Sequence, residues 1–232
     1  MKPLISLKEL TKEYNGKVRA LDQVSIEVRQ GEWVAVTGAS GSGKTTLLNM
    51  IAALDRPTSG SLWVDGIDLL SLEEEKRARF RREKVGLIFQ QFHLIPYLTA
   101  LENVMLAQYF HSMTDKGEAA EALRQVGLGE RMDFLPSELS GGEQQRVCIA
   151  RAVVNQPKII LADEPTGNLD SKNEDLVMEI FHNLHKAGHT LLFVTHDPHI
   201  SRQADRMIEV EHGRIVFPFT PQIRRTGNIS RQ

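Results

Sequence analysis

Residues 38–45, Gly38-Ala39-Ser40-Gly41-Ser42-Gly43-Lys44-Thr45, satisfy G-x-x-x-x-G-K-[ST] at every position, and this segment constrains the fold more than any other part of the chain. A phosphate chain packs several negative charges into a small volume. Glycines at 38, 41 and 43 let the backbone wrap such a group closely, because a residue without Cβ accepts positive φ. Successive N–H groups then face the oxygens, and the start of a following helix adds partial positive charge. Lys44 supplies a point charge for the β- and γ-phosphates, and the Thr45 hydroxyl is a candidate Mg²⁺ ligand. The flanks fit. Glu32-Trp33-Val34-Ala35-Val36-Thr37 is β-prone, and Thr46-Leu47-Leu48-Asn49-Met50-Ile51-Ala52-Ala53-Leu54 reads as a helix. The sequence therefore predicts strand, nucleotide-binding loop (residues 38–45 with Thr46) and helix.

Two further apolar runs end in residues that carry chemistry. Ile159-Ile160-Leu161-Ala162 reads as a buried parallel strand and ends in Asp163-Glu164. Carboxylates at the C-terminal end of such a strand sit where open α/β sheets bind ligands. Asp163 is the expected Mg²⁺ partner. Glu164, pointing differently because neighbours on extended chain alternate faces, is placed to polarise a water for attack on the γ-phosphate. Thr190-Leu191-Leu192-Phe193-Val194-Thr195 ends in His196, level with Asp163, where a ring nitrogen can reach a γ-phosphate or the attacking water. The seven other histidines lack such a setting and receive no role. A third segment, Leu139-Ser140-Gly141-Gly142-Glu143-Gln144-Gln145, is a glycine-led helix start.

In this order, the phosphate loop, the Leu-Ser-Gly-Gly segment and the acidic strand end resemble the ATP-binding subunit of ABC transporters over about residues 4–217. The resemblance implies an α/β fold: a P-loop NTPase of the ABC ATPase type, with a mixed sheet core, an N-terminal antiparallel β subdomain and an inserted α-helical subdomain. It implies one domain over 1–232, with the core at about 1–90 and 158–217, the helical subdomain at about 91–157 and a polar tail at 218–232. It assigns roles by position. Tyr14 matches the aromatic that stacks on adenine. Gln90 matches the glutamine that senses Mg²⁺ and leads into the helical subdomain. Ser140, Gly141 and Gly142 match the signature that meets the γ-phosphate held by a partner chain. Asp170, in Gly167-Asn168-Leu169-Asp170, matches the loop crossing the dimer interface and also suits a helix N-cap. His196 matches the switch histidine. Glu143 stands where many members have Gln, a change that suits the first turn of a helix electrostatically.

The implied mechanism is a homodimer enclosing two ATP molecules and Mg²⁺, each between the phosphate loop of one chain and the signature of the other. Hydrolysis by Glu164, with Lys44, Gln90 and His196, reopens it. Leu94–Val104 and Asp163–Ser171 resemble the lipoprotein-release and macrolide-export group. That implies a transport-coupled ATPase working on an integral membrane permease carried on a separate chain. The alternatives are a soluble ABC-type ATPase acting on nucleic acid or ribosomes, and a cell-division-type ATPase.

Composition limits those alternatives. Lys plus Arg number 28 against 30 Asp plus Glu, a net charge of −2, so no nucleic-acid partner is expected. The lone cysteine, Cys148, excludes a disulfide scaffold and reads as a small core residue. The N-terminus lacks a signal-peptide pattern and no apolar run spans a bilayer. The expectation is thus a cytoplasmic protein, peripheral on the inner face of the membrane through its permease. The helix over 71–84 reads as a solvated charged face, and residues 206–217 as a hairpin. The loop 91–99, with Phe92, Leu94, Ile95, Pro96, Tyr97 and Leu98, is apolar for a connection. It either receives a short helix of the permease or fills the core of its own subdomain.

Overall fold

The chain folds so that four consecutive neighbours of one parallel sheet end at the same edge. In the computed structural model, which describes residues 2–219, the order is β1 (Ile5–Tyr14), β2 (Val18–Val28), β3 (Trp33–Thr37), α1 (Lys44–Ile51), β4 (Ser59–Val64), β5 (Ile67–Asp68), α2 (Glu74–Lys84), β6 (Val85–Ile88), α3 (Ala100–His111), α4 (Lys116–Gln125), α5 (Gly141–Val153), β7 (Ile159–Asp163), α6 (Ser171–Lys186), β8 (Thr190–Val194), α7 (Pro198–Ser201), β9 (Arg206–Glu211) and β10 (Arg214–Phe219). The tail expected from Pro218 lies, beyond residue 219, outside the described residues.

Strands β2-β1-β4-β5 form an antiparallel sheet. A second sheet runs β10-β9-β3-β8-β7-β6, parallel throughout except for β10. This is the expected mixed core with an N-terminal antiparallel layer. The hairpin at 206–217 is present and extends to Phe219.

The parallel strands are apolar on both faces because both faces are covered, and period-two alternation divides them between two cores. Val34, Val36, Ile159, Leu161, Leu192 and Val194 face the cluster that includes α1 and the antiparallel sheet. Trp33, Ala35, Ile160, Ala162, Leu191 and Phe193 face the cluster built from α3–α6. In the antiparallel layer Val24, Ile26 and Val28 are all buried, as their alternation requires.

Two local expectations need correction. Helix α1 starts at Lys44 and ends at Ile51, and Ala53 turns to φ +55°. The charged helix starts at Glu74, after a 3-10 turn over Leu69–Ser71. Nor is that helix merely solvated. Arg77 is buried: its Nη2 donates to the Ala53 carbonyl at 2.7 Å, and Arg81 Nη1 donates to the same oxygen at 2.7 Å. Ala53 lies just past the C-cap of α1, so two arginines of α2 hold the turn in which α1 ends. A pattern read along one helix carries no sign of a partner on another.

Candidate functional site

Loop 38–43 leaves β3 and enters α1 at a position that only glycine fits. Gly43 caps α1 at φ +111°, where a Cβ would overlap the Ala20 carbonyl. Gly38 is at φ +142° and a Cβ there would overlap the Val210 carbonyl of β9. The hairpin turn closes the clamp, since Gly213 N donates to Ser42 O at 2.9 Å. No local pattern in the sequence announced that the chain's last described hairpin holds the loop. Lys44 is buried, and its ammonium donates to Gly38 O and Ala39 O at 2.8 and 2.9 Å. It is thereby aimed across the mouth of the loop.

The pairing β3-β8-β7-β6 fixes what meets this loop. Val36 pairs with Val194, and Asp163 also pairs with Val194, so the ends of β3, β8 and β7 are level. Thr45 Oγ1 donates to Asp163 Oδ2 at 2.9 Å. A hydroxyl beside a carboxylate is the hard oxygen donor set that suits Mg²⁺. Burial first, and the adjacent Glu164 charge second, raise the Asp163 carboxyl above its usual range, against the opposing Thr45 hydrogen bond. Glu164 does turn away from Asp163, but not by strand alternation. The strand stops at Asp163, and Glu164 adopts φ +48° with its N–H on Val194 O at 2.9 Å. Its Oε1 lies 2.8 Å from His196 Nδ1, the histidine mostly exposed and the glutamate mostly covered.

The raised Asp163 carboxyl has a measurable consequence. An acid whose pKa is higher folded than unfolded costs nothing at low pH, where both states are protonated. It costs stability as pH rises through the raised value. Asp163→Asn removes that charge while its amide oxygen can still accept from Thr45. The nucleotide-free variant is expected to be more stable at neutral pH by about 0.5–2 kcal/mol, the usual gain from relieving a functional site. A denaturant midpoint at or below that of the parent would contradict this.

Gln90 follows β6 at the same edge. It is exposed, and its carbonyl accepts from Asn168 Nδ2 at 3.1 Å. Tyr14 lies beside α1: its hydroxyl donates to Asp55 Oδ2 at 2.9 Å and reaches Thr46. The Lys12 ammonium stands 4.7 Å from the ring centroid. Tyr14 as a residue is 39% exposed.

Ser140, Gly141 and Gly142 open α5 elsewhere. Among the described residues no hydrogen bond joins them to residues 38–45. The sequence left Glu143 as an electrostatic accommodation; the structure gives it a specific partner. Ser140 Oγ accepts from Glu143 N at 3.3 Å, and Glu143 Oε2 accepts from Ser140 N at 2.8 Å, a reciprocal capping box. Asp170 caps α6, accepting from Asn173 N at 2.9 Å. Cys148 is buried, with its thiol pushed up to about 11 by desolvation and its Sγ donating to Phe92 O at 3.0 Å.

Loop 91–99 fills its own core in part. Leu94 packs on the core, whereas Tyr97 is 78% exposed. The loop is held by a residue the sequence did not mark. Asn103 is fully buried; its Nδ2 donates to the Ile95, Leu98 and Thr99 carbonyls and its Oδ1 accepts from Ile95 N.

The family model described as "ABC transporter" matches residues 21–167. The uncharacterized ABC transporter ATP-binding protein YvrO of Bacillus subtilis (strain 168) is 45% identical over 220 residues, covering 92% of this chain and 96% of that protein. The macrolide export ATP-binding/permease protein MacB of Escherichia coli (strain K12) is 45% identical over 235 residues, and this chain spans only 36% of its length. Among solved structures, the ATP-binding cassette MJ0796, in a dimeric post-hydrolysis state bound to ADP and Pi, superposes with a TM-score of 0.87 at 40% identity, covering 93% of this chain and 98% of that one. This chain belongs to the ABC transporter family and is an ATP-binding cassette of it.

Proposed function

We propose that the chain hydrolyses ATP as a homodimer and drives a separate membrane permease of the export or force-transmitting type, in the manner of lipoprotein release or macrolide efflux. One observation carries the dimer. Phosphate-binding chemistry and signature lie on different parts of the chain, so the free N–H groups of Gly141 and Gly142 have no phosphate of their own to meet. The dimeric cassette structure of MJ0796 supports the same reading.

In that assembly Lys44 and the loop amides hold the phosphates, and Tyr14 stacks on the base. Thr45, Asp163 and Gln90 hold Mg²⁺, which when bound neutralises charge on the phosphates. Glu164 takes a proton from the attacking water, and His196 fixes the glutamate by the 2.8 Å contact. Phosphate departs, ADP remains, and the signature loses the group it was holding. Light scattering of Glu164→Gln tests this. ATP with Mg²⁺ is expected to convert a monomer of 26.1 kDa to a dimer; a protein that binds ATP yet stays monomeric, alone and with its permease, would refute it.

The permease reading rests on a groove of about 410 Å³ between the sheet core and α3. Leu54, Phe89, Ala107 and Phe110 line it, together with Arg81 and Arg151. Arg151 also binds the Phe92 and His93 carbonyls, so the groove adjoins the loop bearing Tyr97. Among the described residues no helix is long and apolar enough to cross a membrane. Changing the exposed Tyr97 to Asp is expected to abolish capture of the permease in a pull-down while ATP binding persists; unchanged capture would exclude this residue as the contact.

A further inference from the structure

Inside one chain, a single side chain joins the loop that follows Glu164 to the helix that carries the signature. We propose that Asn173 is a positioning residue. Through it the Glu164–Asp170 loop, at the chain's own nucleotide, sets the N-terminal turn of α5 for the nucleotide of the partner. The inference deepens the sandwich reading and rests on it.

The loop is stiff. Gly167 N donates to Glu164 O at 3.1 Å and Leu169 N to Thr166 O at 3.0 Å, two turns in succession. Asn168 Nδ2 ties the loop to Gln90 O at 3.1 Å. The loop ends in Asp170, whose carboxylate binds Asn173 three ways: it accepts from the backbone N–H at 2.9 Å and from Nδ2 at 3.0 Å on each oxygen. This fixes the carboxamide with Nδ2 turned to Asp170, and its other side meets α5. A Cβ at Gly142 would overlap Asn173 Oδ1 and Cγ.

Gly142 is therefore small for a reason besides any approach to phosphate: the signature helix is seated against the Asn173 carboxamide. One turn further along α5, Gln145 is fully buried and both its amide atoms lack partners among the described residues, so it gives the helix no polar anchor. A shift of the Glu164–Asp170 loop when the γ-phosphate leaves would be passed to α5 through this contact, a short rigid path of packed groups.

The test uses Glu164→Gln as the background and adds Asn173→Ala. Asp170 still caps the helix by accepting from the backbone N–H of residue 173, and alanine favours helix, so the fold is retained. The ATP affinity of the monomer, measured with a fluorescent nucleotide, should stay within about twofold. ATP-driven dimerisation should weaken about tenfold, the size of a coupling between touching residues. Gly142→Ala approaches the same contact from the other side. It should weaken dimerisation by itself, and adding Asn173→Ala should recover part of that loss, because it removes the Oδ1 and Cγ overlaps and leaves only the 2.7 Å approach to the Cβ of residue 173.

Unchanged dimerisation in Asn173→Ala, or additive losses in the double variant, would overturn the inference and leave the sandwich standing. A parallel fall in monomer affinity would overturn it too, since that marks general damage. Failure of Glu164→Gln itself to dimerise would instead remove the sandwich reading, and this inference with it.

Discussion

Glu164→Gln is expected to lower ATP turnover by about 10²–10⁴-fold, the range for losing a positioned general base, while ATP binding is preserved. The substitution keeps the size and the capacity of the side chain to accept from His196, and removes only the affinity for a proton. Its backbone should not move, because φ +48° is set by the hydrogen bond from Glu164 N to Val194 O and not by the carboxylate. The loss should therefore fall on kcat with KM little changed, as for an interaction made only in the transition state. His196→Ala should cost less, because on this geometry the histidine acts by holding Oε1 at 2.8 Å. Steady-state phosphate release checks both. Turnover in Glu164→Gln within a few-fold of the parent would remove Glu164 from the chemistry, and a larger loss in His196→Ala than in Glu164→Gln would reverse their roles.

Phe193→Ala should destabilise the nucleotide-free protein by about 3–5 kcal/mol, the cost of truncating a buried phenylalanine to alanine. Phe193 is fully buried in β8, a strand paired on both sides by β3 and β7. Its ring meets Phe181 of α6 edge-on at 4.4 Å between centroids and Trp33 of β3 at 5.2 Å. Neither neighbour can collapse into the gap without disturbing the sheet, so the cavity term adds to the transfer term. Against a domain stability of about 5–15 kcal/mol this is a large fraction. The strand leads into His196, two residues past its end, so activity should fall near the new midpoint. A denaturant titration with unchanged m-value would measure the loss. Leu176→Ala, on an exposed position of α6, serves as the control and should stay within about 0.5 kcal/mol. A shift for Phe193→Ala no larger than that of the control would mean that the site repacks.

Motifs whose chemistry is local were legible from the residues alone. Glycine spacing, Lys44 and Thr45 named the phosphate loop because each position answers a demand made by the same small anion. Apolar runs ending in Asp163-Glu164 and in His196 named two strands, because only strands buried on both faces are apolar throughout. Asp170 as a helix cap could be read from its place ahead of Ser171–Lys186.

What the sequence could not carry were contacts between elements distant along the chain. Arg77 and Arg81 look like solvated charges until the end of α1 is placed beside them. Asn103 looks like an ordinary helical residue until loop 91–99 folds over it. Glu164 was expected to alternate with Asp163, but its direction comes from a backbone hydrogen bond to β8. The sequence by itself determined which residue types could bind phosphate and in which order along the chain they would come. Only the tertiary structure decided that β3, β8, β7 and β6 are neighbours with level ends, and that Gly142 abuts Asn173. The physical reason is that hydrogen-bond saturation and close packing are properties of surfaces brought together, and a one-dimensional pattern records each surface without its partner.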